Sequence, residues 1–139
     1  MKSTLLFLIA LIPVLVFAEW QEIPIGKVVA DSDLIMTGTL ANISRAASAN
    51  LIKCEGTLTP IEVLKGTPPK RIRLTWEISV PPESISVDHS GAEGIPLLWL
   101  LKEKPDGTYG AHYLKRLQPI SRTERIRKII ESHNKAAAH

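Results

Sequence analysis

Between Arg71 and Ile78 apolar and polar residues alternate without a miss: Ile72, Leu74, Trp76 and Ile78 fall on one parity, Arg71, Arg73, Thr75 and Glu77 on the other. Strand side chains alternate faces, so this stretch predicts a β-strand with one face on a core and one in water. A second run, Ile95 to Lys102, is nearly continuous hydrophobe and predicts a central strand. Pro105-Asp106-Gly107 then supplies turn chemistry, and a partner strand from Thr108 to Leu117 would complete a hairpin.

The rest of the chain fits the same architecture. Leu34 to Ile43 reads as a strand in which Gly38 marks a bulge or a close backbone approach, and Ser44 to Asn50, small and polar, reads as a loop. From Leu51 to Lys65 the apolar residues first fall on even positions, Ile52, Cys54 and Leu58, then on odd ones, Ile61 and Val63. That change of phase needs an extra residue, and Pro60 marks where a ladder donor is missing, so a long bulged strand is expected. Gly66 to Lys70 is a turn. Ile25 to Ser32 predicts a short helix entered at Pro24 and ended near Asp31. Ser121 and Glu124 match a capping box ahead of Ile126, Ile129, Ile130 and Ala137, which predicts a terminal amphipathic helix docked on its own sheet. The fold class is mainly β: a five-stranded antiparallel barrel or curled sheet of the oligonucleotide/oligosaccharide-binding type, with a C-terminal α-helix.

Met1 to Trp20 carries Lys2, an apolar run from Leu5 to Phe17, and the small residue Ala18 before Glu19. This order predicts a secretory signal peptide over residues 1–18, hence an exported protein, periplasmic or secreted. The run is shorter than the roughly 20 residues of a bilayer crossing and Pro13 interrupts it, so no transmembrane segment is expected after cleavage. The predicted division is a leader over 1–18, a β-barrel domain over 19–120 and the helix over 121–139. Without Lys2 there are 16 basic and 14 acidic residues, which gives no general attraction to nucleic acid or anionic lipid. The charge is uneven, however, with five basic and two acidic residues after position 120. Phe7 and Phe17 both lie in the leader, so the core must be built from Leu, Ile and Val with Trp76 and Trp99. Cys54 is the sole cysteine, which forbids an intrachain disulfide. Its parity with Ile52 and Leu58 predicts a buried thiol, and so a monomer rather than a disulfide-linked dimer.

Three stretches carry a resemblance: ADSDLIMTGTL at residues 30–40, GTLTPIEVLKGTPPKRIRL at 56–74 and EGIPLLWLLKEKPDGTYG at 93–110. They resemble the netrin/TIMP-like domains, small exported barrels in which a DLV-x-x-G-x-V strand, an EVLKG strand end and a G-x-x-YLLF-like strand recur. The resemblance implies an exported barrel that binds something. Metalloprotease-inhibiting members use an N-terminal cysteine on the target's zinc and carry several disulfides. Here the predicted mature chain starts Glu19-Trp20 and has one cysteine, so inhibition by that route is not implied.

The long loop from Pro81 to Gly94 is the candidate interaction surface, with Pro81, Pro82, Glu83, Asp88, His89, Ser90, Gly91 and Glu93 as its residues. Asp88-His89-Ser90 contains the residue types of a hydrolase triad, but consecutive side chains point apart and cannot form a relay, so no catalytic residue is assigned. His89, His112, His133 and His139 lack the short spacing of a zinc site, and no metal or cofactor is expected. Lys65, Lys70, Arg71 and Arg73 are close in sequence, yet Trp76 lies on the face opposite Arg71 and Arg73, so the ring-plus-groove arrangement of single-strand nucleic-acid binders is missing. Asn42-Ile43-Ser44 has the form of a glycosylation acceptor, relevant in a eukaryotic source. The function expected is that of a non-enzymatic domain recognising a protein or envelope component. An envelope ligand carrier or hydrolase with a loop-assembled site is the alternative, and an inhibitor or immunity-type protein a weaker one.

Overall fold

The computed structural model describes residues 23–79, 88–111 and 114–138. The expected leader lies outside them, as do Pro81, Pro82 and Glu83 of the interaction loop and the histidines at 112 and 139. The described chain runs α1 (Ile25–Asp31), β1 (Leu34–Ser48), β2 (Leu51–Lys65), β3 (Ile72–Ser79), β4 (Leu97–Glu103), β5 (Tyr109–Gly110), β6 (Leu117–Gln118) and α2 (Thr123–Ala137). The molecule is mainly β with a C-terminal helix, as the sequence implies.

The sheet order β1-β2-β3-β5-β4 is closed into a ring by antiparallel pairing of β1 with β4, Leu34 opposite Leu101 through Gly38 opposite Leu97. The expected all-antiparallel arrangement is corrected at one seam, where β3 and β5 run parallel through Leu74 and Tyr109. The reason is parity: strand directions cannot alternate all the way round a ring of five, so one neighbouring pair must be parallel.

Local chemistry explains where elements depart from expectation. Ser44 to Ser48 are strand, not loop, because each faces a β2 residue from Glu55 to Leu51, leaving only Ala49 and Asn50 for the turn. Pairing overrides the weak β-propensity of these small residues. Beyond Pro96, which lacks an N–H, β4 starts at Leu97, and Ile95 stays exposed. The expected single partner from Thr108 to Leu117 is split: β5 pairs with Lys102 and Glu103, and β6 with Leu98 and Trp99. Seven steps from Gly110 to Leu117 thus oppose three along β4, and the excess leaves the ladder, partly as a 3-10 turn at Leu114–Arg116. The capping box is not formed. Ser121 lies in a 3-10 turn, and the Thr123 hydroxyl, two residues later, donates to the Ile120 carbonyl at 2.7 Å.

The bulged β2 is present. Leu58 stands opposite Leu40 and Val63 opposite Met36, residues on one face of β1, and the extra residue between them is Ile61. Ile61 itself is turned to solvent, 63 % exposed, and Val63 keeps 38 % exposure, so neither is the core residue the phase suggested. Gly38 answers to both of its expected roles. A register shift precedes it, and a Cβ there would collide with the Thr59 carbonyl and come within 2.5 Å of the Met36 methyl. Its own carbonyl accepts the Trp99 indole N–H at 3.2 Å inside the barrel.

Two cores result. Inside the ring lie Leu34, Met36, Leu40, Leu58, Ile72, Leu74, Trp76, Trp99, Leu101 and Tyr109 with Cys54. On the outer face of β1 and β4, Ile35, Leu98 and Leu100 meet Val28 and Val29 of α1 and Ile126 and Ile130 of α2. That is why Leu97 to Leu101 reads as almost unbroken hydrophobe: this part of β4 is covered on both sides. α2 docks through Ile126 and Ile130, each worth about 1.5–3 kcal/mol when fully buried. Ala137, expected on its apolar face, is exposed. α1 has seven residues, too short to persist alone. It is held by its valines and by donors on its last carbonyls: Lys65 to Val29 at 3.0 Å, Lys102 to Asp31 at 3.0 Å and Ser32 to Val28 at 2.6 Å. The buried Arg116 ties this corner together, donating to the Ser32 hydroxyl at 3.0 Å, the Leu100 carbonyl at 3.2 Å and the Asp31 carboxylate at 2.9 Å. Among the described residues no helix is long and apolar enough to cross a membrane.

Gly38→Ala should lower the unfolding free energy by about 1–3 kcal/mol, since backbone must shift to admit the methyl, whereas Gly26→Ala, with open space at its Cβ in α1, should leave it unchanged or raised. Urea unfolding of both variants checks this. Arg116→Ala should cost about 2 kcal/mol or more by stranding the buried Ser32 and Leu100 groups, read from the same transition.

Candidate functional site

The described part of the loop leaves the barrel at Asp88 and returns at Gly94, and each end is fastened. Asp88 precedes a 3-10 turn, His89–Ala92, and caps it: one carboxylate oxygen accepts from the Ser90 amide at 3.0 Å and the Ser90 hydroxyl at 2.7 Å. The same oxygen accepts the Trp76 indole N–H from β3 at 3.1 Å. Arg45 of β1 reaches the other oxygen at 3.6 Å and donates to the Ser90 hydroxyl. At the far end the Gly94 amide donates to the Leu40 carbonyl at 2.9 Å. Burial alone would raise the Asp88 carboxyl, but the donors from Ser90 and Trp76 and the Arg45 charge outweigh it and hold the group below the usual carboxylate range.

His89 is the anchor. Its ring is 2 % exposed and sits edge-on between Trp76, with centroids 5.3 Å apart, and Trp99, at 5.7 Å. Neither ring nitrogen makes a hydrogen bond of full geometry among the described residues, the Ala111 backbone being the polar group that acts on the ring. Burial, above all, pushes the imidazole below its ordinary value; the Ala111 backbone and the Asp88 charge oppose this, and Lys104 adds to it.

The three consecutive residues therefore separate as their spacing implies. Ser90 turns to Asp88 and Arg45, His89 turns inward, and no hydroxyl-to-imidazole contact joins them. Asp88, Gly91 and Glu93 face solvent, Ser90 is half-buried, and His89 and Ala92 are buried plugs. Among the described residues no group of three His, Cys, Asp or Glu is placed to hold a metal ion. Cys54 is buried, and burial pushes its thiol up, with Arg45 opposing and Asp88 adding.

The basic run at residues 65–73 is dispersed: Lys65 caps α1, and Arg73 pairs with Glu55 across the β2–β3 ladder. Trp76, 5 % exposed, faces the core. Sequence reasoning missed Arg45, which fell in the stretch read as a polar loop. The signal was available, since it is the single charge in an otherwise small, neutral segment. It also missed the indole of Trp76 as a donor, because parity shows that a ring is buried but not what its N–H meets.

No protein-family model matches this chain, and no curated protein matches it.

The buried, neutral imidazole has a pH consequence. The unfolded chain binds a proton on His89 near pH 6.5 that the folded protein refuses, so stability falls as pH drops below about 6.5 toward the lowered folded value. His89→Phe keeps an aromatic between the tryptophans and removes the titration. The wild type should lose thermal stability relative to this variant as pH falls through that window, measured by circular dichroism melts.

Proposed function

We propose that this is an exported binding module that recognises a protein or envelope component through the surface around Asp88, Ser90, Gly91 and Glu93, with Arg45 beside it. The supporting observation is the latch. The Asp88 carboxylate gathers donors from the loop and from β3, with the β1 guanidinium beside it, while His89 wedges between two tryptophans of the core. The segment from Asp88 to Gly94, fixed in this way, has little ordering entropy left to lose on association, so its exposed groups can contribute directly to affinity. The mixed charge of Arg45, Asp88 and Glu93 suits a polar protein or glycan surface. Export is inferred from the leader-like residues 1–18, and the likeness of residues 30–110 to netrin/TIMP-like domains supports a binding role on the same grounds.

The test is affinity capture from an envelope or secreted fraction with the wild type, Glu93→Lys, and the Asp88→Asn/Ser90→Ala pair. A specific partner should be recovered by the wild type and lost in the charge reversal, with the unfolding midpoint of Glu93→Lys unchanged. Capture that is indifferent to all three positions would refute the assignment, as would a hydrolytic activity abolished by them.

A further inference from the structure

We propose that the cleft between the start of α1 and the start of α2 is a binding site for a phosphate-bearing ligand. It encloses about 400 Å³ and is lined by Pro24, Ile25 and Gly26 on one side and by Lys115, Gln118, Arg122 and Arg125 on the other. This volume lies within the range of small-ligand sites. Its chemistry is one-sided, with three cationic side chains and no carboxylate among the described lining residues. Elsewhere Arg45, Arg73, Arg116 and Arg127 each meet a carboxylate, and among the described residues Arg71 stands without one, on the approach to β3 and away from this cleft. Arg122 and Arg125 meet none among the described residues.

Three positive charges placed around one cavity repel each other, and an anion held among them relieves that repulsion. Two guanidinium forks favour phosphate oxygens, which they can meet with paired N–H donors, over a monovalent halide. The frame is already positioned. Lys115 is braced by its bond to the Ile23 carbonyl at 2.6 Å, and the buried Gln118, 8 % exposed, donates to the Lys115 carbonyl at 2.8 Å. The apolar wall at Pro24 and Ile25 can take an organic portion, so the ligand class is an organic phosphate or a phospholipid headgroup, and the two share the same anchoring chemistry.

This site is separate from the loop surface and stands or falls independently of it. Protein expressed from the full chain is titrated at low ionic strength with inorganic phosphate, following the Arg Nε–H and Gln118 side-chain amide resonances by NMR. In parallel it is sedimented with vesicles of phosphatidylglycerol or of phosphatidylcholine. Saturable phosphate shifts at the cleft that weaken about tenfold in Arg122→Gln/Arg125→Gln and persist in Arg71→Gln support a soluble phosphate ligand. Sedimentation with phosphatidylglycerol alone, lost in the same double variant, supports the headgroup. Binding of either probe that the double variant retains overturns the site, and so does the absence of both.

Discussion

Over four residues, Ile35 to Gly38, β1 is paired along both of its edges, to β2 on one side and β4 on the other, and the barrel exists because of that double pairing. This part of β1 is also covered on both faces, with Leu34 and Met36 in the inner core and Ile35 in the outer one. Such a position leaves no room for irregularity except where the sequence provides it. Gly38 lets the Thr59 backbone approach and presents its carbonyl to Trp99, so the strand can bend into β2 without losing the seam to β4. The parallel contact of β3 with β5 follows from the same closure, since a ring of five strands has to contain one such pair.

The helices belong to this construction and are not appended to it. Were β1 and β4 bare on their outer side, Ile35, Leu98 and Leu100 would face water, and covering them is what fixes α1 and α2 in place. Polar groups then settle the corner where α1, β4 and the 3-10 turn before β6 converge. Arg116 spans three backbone or side-chain acceptors there, and Lys65 and Lys102 satisfy helix carbonyls that no further turn can reach. The lysine that looked like part of a basic cluster is in this way spent on the fold.

The strands were legible wherever one-residue alternation met a single buried face, as in β3, and where an unbroken apolar run marked cover on both faces, as in β4. The helix at Ile25 was legible from its proline and its ending, although nothing local reveals that it shares a core with α2. Long-range pairing was not legible. Ser44 to Ser48 have no strand preference of their own and are extended only because β2 runs back beside them, and the split between β5 and β6 depends on where the chain leaves the ladder. At the loop, the divergence of Asp88, His89 and Ser90 could be argued from adjacency alone. The partners of each could not, because Arg45, Trp76 and Trp99 come from three strands separated by many residues. The cationic cleft was hidden for the same reason: Lys115 and Gln118 are joined to Arg122 and Arg125 across a turn, and Pro24 to Gly26 arrive from the other end of the chain.

α2 is buried at Ile126 and Ile130, and every described residue from Glu131 onward stands in solvent. Its last two turns are thus a free stalk, fastened at the root and unsupported at the tip. Amide protons there should exchange quickly while those of the first turns stay protected, and a fluorophore or immobilisation tag grafted onto this end would report on the barrel without disturbing it.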